Sequence, residues 1–556
     1  MEPKPKHMRG ESASPAGIPV AARLLLAAIG SCLVGLALCF VAAQVRGGFS
    51  AGGWLNRFWF VFFAVTCFVA SGMVVCREWL ATKPERVYLV IVLSITTLFS
   101  WSFSVREPAW DVGIHYRNTV RFADWEGEVE STPSDEILIN KSPTEAADDS
   151  SLATVNAQEE AVDTGVLPDG TAQPAGTIER ITTVSGYFVT IEYYLYSLVM
   201  FVSRLLGASP SRTLFLVRLA GGWFYSVVTF LGMRKLRHGK MLYAALALLP
   251  TSVFLVADLS YSYWLFSLCL YGFATLAGMM QGSVEVTPVS LGKMLGALFV
   301  GMLPRVAYFP LMFLCLLIPT KRFSSVRAAR VYRGLLVGTA ALAFAMWLVP
   351  RLLANMGPGD TRGGTNVSPS GQIAYICAHP LDYARTFLRF VLPPLTMQDG
   401  APDVEGHNLI GGYLSIEASP GLLTNYGYLP RPHWAFAAVL WVVLLVVLLT
   451  DRDRAQRMGV ACGVASVALT FAVFFMITTA LYFDFTPVGL PEIHGVQRRY
   501  LLPLLFPLLV FVGPRRFGVT GAAPRVNMGW YNGAVLGCMA AVLLGSFWLS
   551  CVALIV

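Results

Sequence analysis

Charged residues are scarce in this sequence: Asp, Glu, Lys and Arg make up 13% of its 556 residues. Soluble domains carry about a quarter, so this composition excludes an ordinary water-soluble protein. The sequence also lacks a glycine-rich phosphate loop, a GxGxxG motif after a strand and a GxSxG elbow. ATP-driven transport and redox chemistry with a soluble cofactor therefore have no support.

Cysteine pairs at metal-binding or redox spacing are also missing. Nearly all of the ten cysteines lie inside apolar runs, and no CxxC or Cys/His pattern occurs, so we predict neither a disulfide framework nor a zinc site. The net charge is +8, but the basic residues form short clusters between apolar runs. This distribution is typical of membrane topology and not of a surface that neutralises nucleic-acid phosphates, so we expect no nucleic-acid partner.

Long apolar runs recur from residue 20 to the C-terminus, and 55% of the residues are hydrophobic. Runs of about 18 or more apolar residues indicate membrane-spanning helices. We therefore predict an all-α, multi-pass membrane protein with about 13 spans. The candidate spans cover residues 20–44, 57–76, 87–104, 211–233, 241–258, 260–280, 288–303, 304–319, 331–354, 433–450, 457–482, 500–513 and 528–553.

The Lys and Arg residues predict the orientation of these spans, because cytoplasmic loops carry an excess of both. If the N-terminus is cytoplasmic, the basic clusters all fall on the cytoplasmic side. These clusters are Arg77, Lys83 and Arg86; Arg234, Lys235, Arg237 and Lys240; Lys321, Arg322, Arg327, Arg330 and Arg333; Arg452, Arg454 and Arg457; and Arg515, Arg516 and Arg525.

The same topology divides the chain into three parts. Residues 1–86 form an N-terminal tail with two accessory spans, residues 87–513 form the main membrane domain, and residues 514–556 form a C-terminal loop and the last span. Two long loops of the main domain, 105–210 and 355–432, face outward.

Parts of these outer loops differ in composition. Residues 126–178 are acidic and poor in large apolar side chains, so we predict a disordered insertion, either a plain tether or a segment that binds wall components. The segment 186–206 is long enough to span, but spanning would invert the later loops. We therefore predict an amphipathic helix at the outer interface, and a second one near 372–392.

Asp111 and His115 are the first candidate for chemistry. They follow a span directly and are four residues apart, a spacing that places both on one face of a helix. A carboxylate beside an imidazole can act as a general base toward a hydroxyl or orient a metal ion. The alternative is a pair of solvated loop residues.

Arginines at the outer boundary are the second candidate. Gln497, Arg498, Arg499 and Tyr500 precede a span, where arginine opposes the usual charge distribution. Arginine forms forked hydrogen bonds to phosphate, and a lipid-linked phosphate would lie at this depth. The alternative is anchoring to ordinary headgroups by long side chains.

A break between two short apolar segments provides the third candidate. Arg305 and Tyr308 lie in the sequence Pro304-Arg-Val-Ala-Tyr-Phe-Pro310, and an ionisable residue near the membrane is a functional hypothesis by default. An interface anchor is the alternative. The turn at residues 258–263 could contact a sugar, but its tyrosines also fit an aromatic belt.

Several separated stretches together resemble a bacterial family of predicted membrane proteins, domain of unknown function 2142. The family's outer motif with Asp and His fits Asp111 and His115, and its Pro-Tyr-x-Pro break is similar to the segment from Arg305 to Pro310. An Arg-containing span with a basic turn, and a Gln-Gly-Arg-Tyr motif before a Pro-containing run, are matched by Phe215 to Pro250 and by Gln497 to Pro503. The resemblance covers about residues 87–513.

The sequence departs from the family's pattern at three places. The family's Glu after the Asp is Val112, the Gly of the Gln-Gly-Arg motif is Arg498, and the Asp after the Ser-Tyr turn is replaced by Ser262 and Tyr263. The first departure bears on any mechanism that needs two adjacent carboxylates.

The family in turn resembles the GT-C glycosyltransferases, which take sugars from a polyprenyl-phosphate donor. This fold-level analogy implies a glycosyltransferase of the bacterial plasma membrane that builds cell-wall or surface polysaccharide, with membrane lipid, a polyprenyl-phosphate sugar donor and a glycan acceptor as partners. Asp111 would act as base or bind a divalent metal (Mg²⁺ or Mn²⁺), and His115 would orient it. Arg305, Tyr308, Gln497, Arg498, Arg499 and Tyr500 would bind substrate.

One competing hypothesis needs no catalytic carboxylate. The chain would then be a non-catalytic transporter of lipid-linked glycan, or an assembly subunit of a surface-polysaccharide system. Charged residues lining a cavity at the centres of the spans would favour it, and the sequence has few there.

Overall fold

The computed structural model describes residues 19–45, 55–123, 129–140, 151–178, 190–353, 360, 363–364, 366–391, 420–450, 460–512 and 527–555. Over these residues the protein is almost entirely helical, which confirms the all-α prediction. The helices are α1 Val20–Val45, α2 Arg57–Val75, α3 Arg77–Thr82, α4 Pro84–Phe103, α5 Val112–Ala123, α6 Pro133–Asn140, α7 Leu152–Thr164, α8 Tyr194–Leu205, α9 Pro210–Met233, α10 Lys240–Ala247, α11 Pro250–Ala257, α12 Ser262–Gln281, α13 Pro288–Met302, α14 Val326–Leu353, α15 Pro369–Ala378, α16 Pro380–Val391, α17 Pro420–Leu423, α18 Trp434–Thr450, α19 Val460–Asp484, α20 Leu502–Val512 and α21 Met528–Ser550.

Shorter elements complete the chain. Turns of 3₁₀ helix cover Ile191–Tyr193, Val306–Leu317, Thr320–Arg322, Arg498–Leu501 and Val552–Leu554. The strands β1 Val129–Ser131 and β2 Gly176–Ile178 pair antiparallel, with Val129 opposite Ile178.

Eight helices among the described residues are long and apolar enough to cross a membrane: α1, α2, α4, α9, α12, α14, α19 and α21. In addition, α10 and α11 form a broken helix bent by 57°, with Pro250 at the first position of α11. Proline cannot continue the preceding helix, because it lacks an N–H donor and its ring clashes with the turn before it. The chain is therefore an integral membrane protein built as a bundle of many helices.

The remaining four of the thirteen candidate spans contain shorter elements. Residues 288–303 and 304–319 correspond to α13 and to a 3₁₀ helix, and 433–450 and 500–513 correspond to α18 and α20. These elements are shorter than the roughly 20 residues that a helix needs to cross a bilayer. The exact number of spans stays a prediction.

Polar contacts mark one end of the bundle, which we call the basic end. Lys240 at the start of α10 pairs with Glu85 at the start of α4, at 2.8 Å. The Gln281 side chain at the end of α12 accepts from the Arg237 backbone N–H at 3.0 Å, and Arg322 donates to the Met280 carbonyl at 3.2 Å. Three of the predicted basic clusters therefore lie at the same end.

The prediction that residues 126–178 are disordered is wrong for the part that the structure describes. Within it, α6, α7, β1 and β2 form regular structure. The prediction rested on average composition, but the few apolar side chains of this segment are buried because they pack against each other and against the bundle. The buried ones include Leu138, Val155, Val162 and Ile178.

Acidic side chains attach this segment to the bundle. Glu159 of α7 pairs with Arg57 at the start of α2, at 2.5 Å. Asp135 of α6 is buried, accepts a hydrogen bond from Tyr116 of α5 at 2.7 Å and pairs with Arg204 of α8 at 2.6 Å. The acidic segment therefore packs on α5, the helix that follows Asp111.

The described parts of the two segments predicted as interface helices, 186–206 and 372–392, are largely helical. Residues 190–205 form a 3₁₀ turn and α8, whose 12 residues are too few to span. One side of α8 is buried against α5 and α9, while Leu198 and Leu205 are exposed. Residues 369–391 form α15 and α16, which are separated by His379. Both regions retain exposed apolar side chains, as the interfacial prediction requires.

Candidate functional site

A buried ion pair fixes the loop between α4 and Asp111. Arg218 of α9 and Asp258, which follows α11, are both fully buried and lie 2.8 Å apart. Arg218 also donates to the carbonyls of Ser104 and Arg106, and the Asp258 carboxylate accepts from the Ala109 N–H at 3.2 Å. The arginine within this span therefore positions the loop that leads to Asp111.

The same loop is closely packed on its other side. The carbonyl of Pro108 accepts from the Tyr428 N–H at 2.9 Å. A Cβ on Gly427 would lie 2.0 Å from that carbonyl oxygen, and Gly427 has a φ of +65°, a left-handed conformation that glycine adopts without steric cost. The backbone before Asp111 is thus held from two directions.

Asp111 itself has an unusual backbone conformation. Its φ is +63°, which is uncommon outside glycine and occurs often at functional sites. Its carbonyl accepts from the His115 N–H at 3.0 Å, at the start of α5. Its carboxylate lies 3.3 Å from the Arg499 guanidinium. The Arg499 side chain, which lies 388 positions later, therefore holds the Asp111 carboxylate.

Aromatic rings hold two of the three predicted arginines, Arg499 and Arg305, at this location. The Arg499 guanidinium lies over the Trp110 ring at 4.8 Å and over the Tyr500 ring at 5.5 Å. The exposed Arg305 lies over the Tyr261 ring at 3.9 Å. Such cation–π contacts stabilise a guanidinium where carboxylates are few. Asp111, Arg499 and Arg305 therefore belong to one cluster at the end of the bundle opposite the basic end.

His115 forms the inner wall of this cluster. Its Nδ1 hydrogen bonds to the Tyr193 hydroxyl at 2.6 Å, and its ring packs edge-on against Tyr261. Burial and the positive charge of Arg305 lower the pKa of His115 to about 3, against the opposing effect of Asp111, so the ring is neutral at physiological pH. Its Nε2 is buried and has no hydrogen-bond partner in the part of the chain that the structure describes. The described residues show no side-chain hydrogen bond between His115 and Asp111, and the hypothesis that His115 orients Asp111 stays a prediction.

Glu192 is the site residue that the sequence hypotheses missed. It lies in the 3₁₀ turn before α8, is 2% exposed, and its Oε2 has no hydrogen-bond partner among the described residues. Burial raises the pKa of Glu192 to about 7, although Arg305 opposes this rise. A lone acid in the apolar stretch 186–206 was the available signal, because such a residue is a functional candidate by default.

The other predicted residues lie close to this cluster. Tyr308 donates to the Tyr500 carbonyl at 2.8 Å and so joins the two proline-containing breaks. Gln497 has a buried Oε1 that accepts no hydrogen bond from any described residue. Arg498 is half-buried in the same 3₁₀ turn as Arg499.

A divalent metal does not fit the donor set of this cluster. The Asp111 carboxylate is paired with a guanidinium, and burial raises the pKa of Glu192 to about 7, which disfavours its charged form. No group of three or more His, Cys, Asp or Glu side chains suited to a metal occurs in the described part of the chain. Magnesium and manganese need several charged or carbonyl oxygens, which one paired carboxylate does not provide.

Comparison with known proteins gives one result. No curated protein and no solved structure matches the chain significantly. One family model, described as a predicted membrane protein (DUF2142), matches residues 108–508. The match begins in the loop before Asp111 and ends within α20, so it includes all the elements of the cluster. With most of its length matched, the chain belongs to this family of predicted membrane proteins.

Proposed function

We propose that this protein transfers a sugar from a polyprenyl-phosphate donor to a cell-surface or cell-wall glycan, on the extracytoplasmic face of the bacterial plasma membrane. The observation that supports this most is the meeting of Asp111, Arg305 and Arg499. These residues come from three distant segments and form one cluster at a bundle end. A carboxylate with two guanidinium groups suits the transfer of a group from a phosphate.

The arginines would bind the donor phosphate. Arg305 is exposed, and its guanidinium is held by an aromatic ring rather than by an acid. Arg499 has a buried Nε that no described residue contacts with a hydrogen bond. Guanidinium groups with unused donors can form forked hydrogen bonds to phosphate oxygens. The polyprenyl tail would stay in the bilayer while the phosphate reaches this cluster.

The transfer step assigns one role to each group. The acceptor hydroxyl oxygen attacks the anomeric carbon of the donor sugar, and the bond from that carbon to the phosphate oxygen breaks. Asp111 takes the hydroxyl proton as general base. The bond electrons remain on the departing polyprenyl phosphate, whose additional negative charge Arg499 and Arg305 stabilise.

The distribution of basic residues between the two ends of the bundle supports an extracytoplasmic location of the cluster. Three of the basic clusters lie at the end opposite this cluster. The positive-inside rule then orients the basic end, and the N-terminus, toward the cytoplasm. The cluster would lie at the extracytoplasmic rim, where lipid-linked sugars become accessible.

Purified protein and a radiolabelled polyprenyl-phosphate sugar test this proposal. We expect Asp111→Asn to lower the transfer rate roughly 10²–10⁴-fold, the usual contribution of a general base, and Arg499→Gln to lower it roughly 10²–10³-fold. Asp382→Asn and Arg385→Gln are matched controls, because this exposed pair lies 3.1 Å apart on α16. Undiminished transfer by Asp111→Asn would exclude Asp111 as the base.

One observation favours a second candidate, a non-catalytic carrier or assembly subunit for lipid-linked glycan. The Asp111 carboxylate is already paired with Arg499, which suits a role in binding as well as one in proton transfer. Tight binding of the donor by wild-type protein, without transfer to any supplied glycan acceptor, would favour this candidate.

A further inference from the structure

Glu192 has a surrounding that is unfavourable for a charged carboxylate. It is 2% exposed, and among the described residues its Oε2 has no hydrogen-bond partner and no cation lies within ion-pairing distance. Burying an unpaired carboxylate costs several kcal/mol. We therefore expect the Glu192 carboxyl either to stay protonated or to change its protonation state as part of the protein's function.

The titratable groups around Glu192 lie on three elements, and His115 of a fourth element, α5, contacts one of them, Tyr193. Arg305, before the 3₁₀ helix 306–317, is the positive charge that acts on it. Tyr193 follows it directly and hydrogen bonds to His115 of α5, which is neutral. Tyr263 of α12 donates to the Glu192 backbone carbonyl. Arg305 is thus the single charged group that stabilises ionised Glu192 among these neighbours.

The charge balance of the cluster connects Glu192 to the phosphate proposed above. The two arginines proposed to hold the phosphate, Arg305 and Arg499, carry two positive charges, and Asp111 beside Arg499 carries one negative charge. A bound phosphodiester adds one more negative charge and neutralises these three side chains only if Glu192 is protonated. An ionised Glu192 would also compete with the phosphate for Arg305. Like charges in a poorly solvated site repel strongly, so the bound state favours the neutral acid.

We propose that Glu192 takes up one proton from solvent when a phosphodiester anion binds at Arg305 and Arg499. This inference rests on the proposed function, because it takes the lipid phosphate as the ligand. Glu192 thereby sets the pH range in which the site accepts an anionic lipid headgroup. The proton and the phosphate enter together, and they leave together.

Calorimetry can count this proton. The probe is farnesyl methyl phosphate in detergent, an isoprenyl phosphodiester that has no ionisable group near neutral pH. Titrations in two buffers with different enthalpies of ionisation give the number of protons taken up per ligand. With a pKa of about 7 for Glu192, we expect about 0.9 proton at pH 8 and a roughly tenfold loss of affinity per pH unit above the pKa.

Two variants assign the proton to this residue. Glu192→Gln should bind without proton uptake, with an affinity that does not change between pH 6 and pH 9. Glu160→Gln is the matched control, because it removes an exposed acid of α7 and should behave as wild type. The wild-type pH profile keeps the test decisive even if Glu192→Gln folds poorly.

The outcomes separate the two proposals. Binding by wild-type protein without proton uptake, or with equal uptake by Glu192→Gln, would overturn the role of Glu192 and leave the proposed function standing. The absence of any binding of the phosphodiester would overturn both.

Discussion

Replacing Asp258 by Asn would break the ion pair that positions the site. The Arg218 guanidinium would remain fully buried 2.8 Å from a neutral amide. In the aspartate, one carboxylate oxygen accepts from Arg218 and the other accepts from the Ala109 N–H. In the asparagine, an amide nitrogen, which cannot accept, would replace one of these two oxygens. Removing one partner of a buried ion pair costs about 3–5 kcal/mol, because it leaves an uncompensated charge. We expect this loss in the free energy of unfolding.

A double-mutant cycle distinguishes the pair from its surroundings. Arg218→Met combined with Asp258→Asn removes both charges, so the double variant should be less destabilised than the sum of the two single variants. The control is Glu85→Gln at the basic end. Its partner Lys240 also lies at 2.8 Å, but these two side chains are 11% and 24% exposed, so about 1 kcal/mol or less is expected.

The chain contains its own probes for this measurement. Buried free cysteines, among them Cys269 and Cys315, become reactive toward a fluorogenic maleimide when the bundle unfolds in detergent. Thermal midpoints of wild-type protein, Arg218→Met, Asp258→Asn and the double variant then give the cycle, and Glu85→Gln is measured beside them as the control. Additive effects, or a loss below 1 kcal/mol for Asp258→Asn, would refute the claim that this pair holds the loop before Asp111.

Two further predictions concern the cluster and the acidic segment. The pKa of Glu192 rises from 4.5 to about 7 on folding, so the folded state binds more protons than the unfolded state between these pH values. Its free energy of unfolding therefore falls by about 3 kcal/mol as the pH rises through this range. Glu192→Gln should remove this fall, which thermal unfolding at pH 5 and pH 8 measures, and a pH profile equal to that of wild type would contradict the prediction. A Cβ on Gly113 would lie 2.5 Å from the Ile139 carbonyl oxygen, so Gly113→Ala should push α6 away from α5 and speed proteolysis within residues 129–178. Gly338→Ala, where a Cβ meets open space, should leave the proteolysis rate unchanged, and equal rates in both variants would count against the packing described.

The sequence predicted features that depend on local pattern. Apolar runs set the long helices, and the four-residue spacing of Asp111 and His115 corresponds to one helical hydrogen bond, from the His115 N–H to the carbonyl of Asp111 just before α5. The contact between Asp111 and Arg499 could not be derived locally, because it joins residues 388 positions apart. Only the order of motifs along the chain pointed to it.

The features that the sequence did not predict depend on tertiary burial. Glu192 resembles any acid near an interface until α5 and α12 cover it. The acidic segment is poor in large apolar residues, but two of those it has, Leu138 and Val155, are fully buried. In addition, Asp135 and Glu159 pair with arginines of the bundle. Composition gives the average hydrophobicity and does not reveal such specific partners.

The two arginine–aspartate pairs of this region differ in a way that bears on function. Arg218 and Asp258 are fully buried at 2.8 Å, and the Asp258 carboxylate also accepts backbone N–H groups. Arg499 and Asp111 are 3.3 Å apart, and the Asp111 side chain is 27% exposed. Breaking the first pair would leave a buried charge unpaired, whereas a bound phosphate could replace Asp111 beside Arg499 and leave the carboxylate accessible. The first pair therefore acts as a permanent support, and the second has the geometry of a contact that a ligand can exchange.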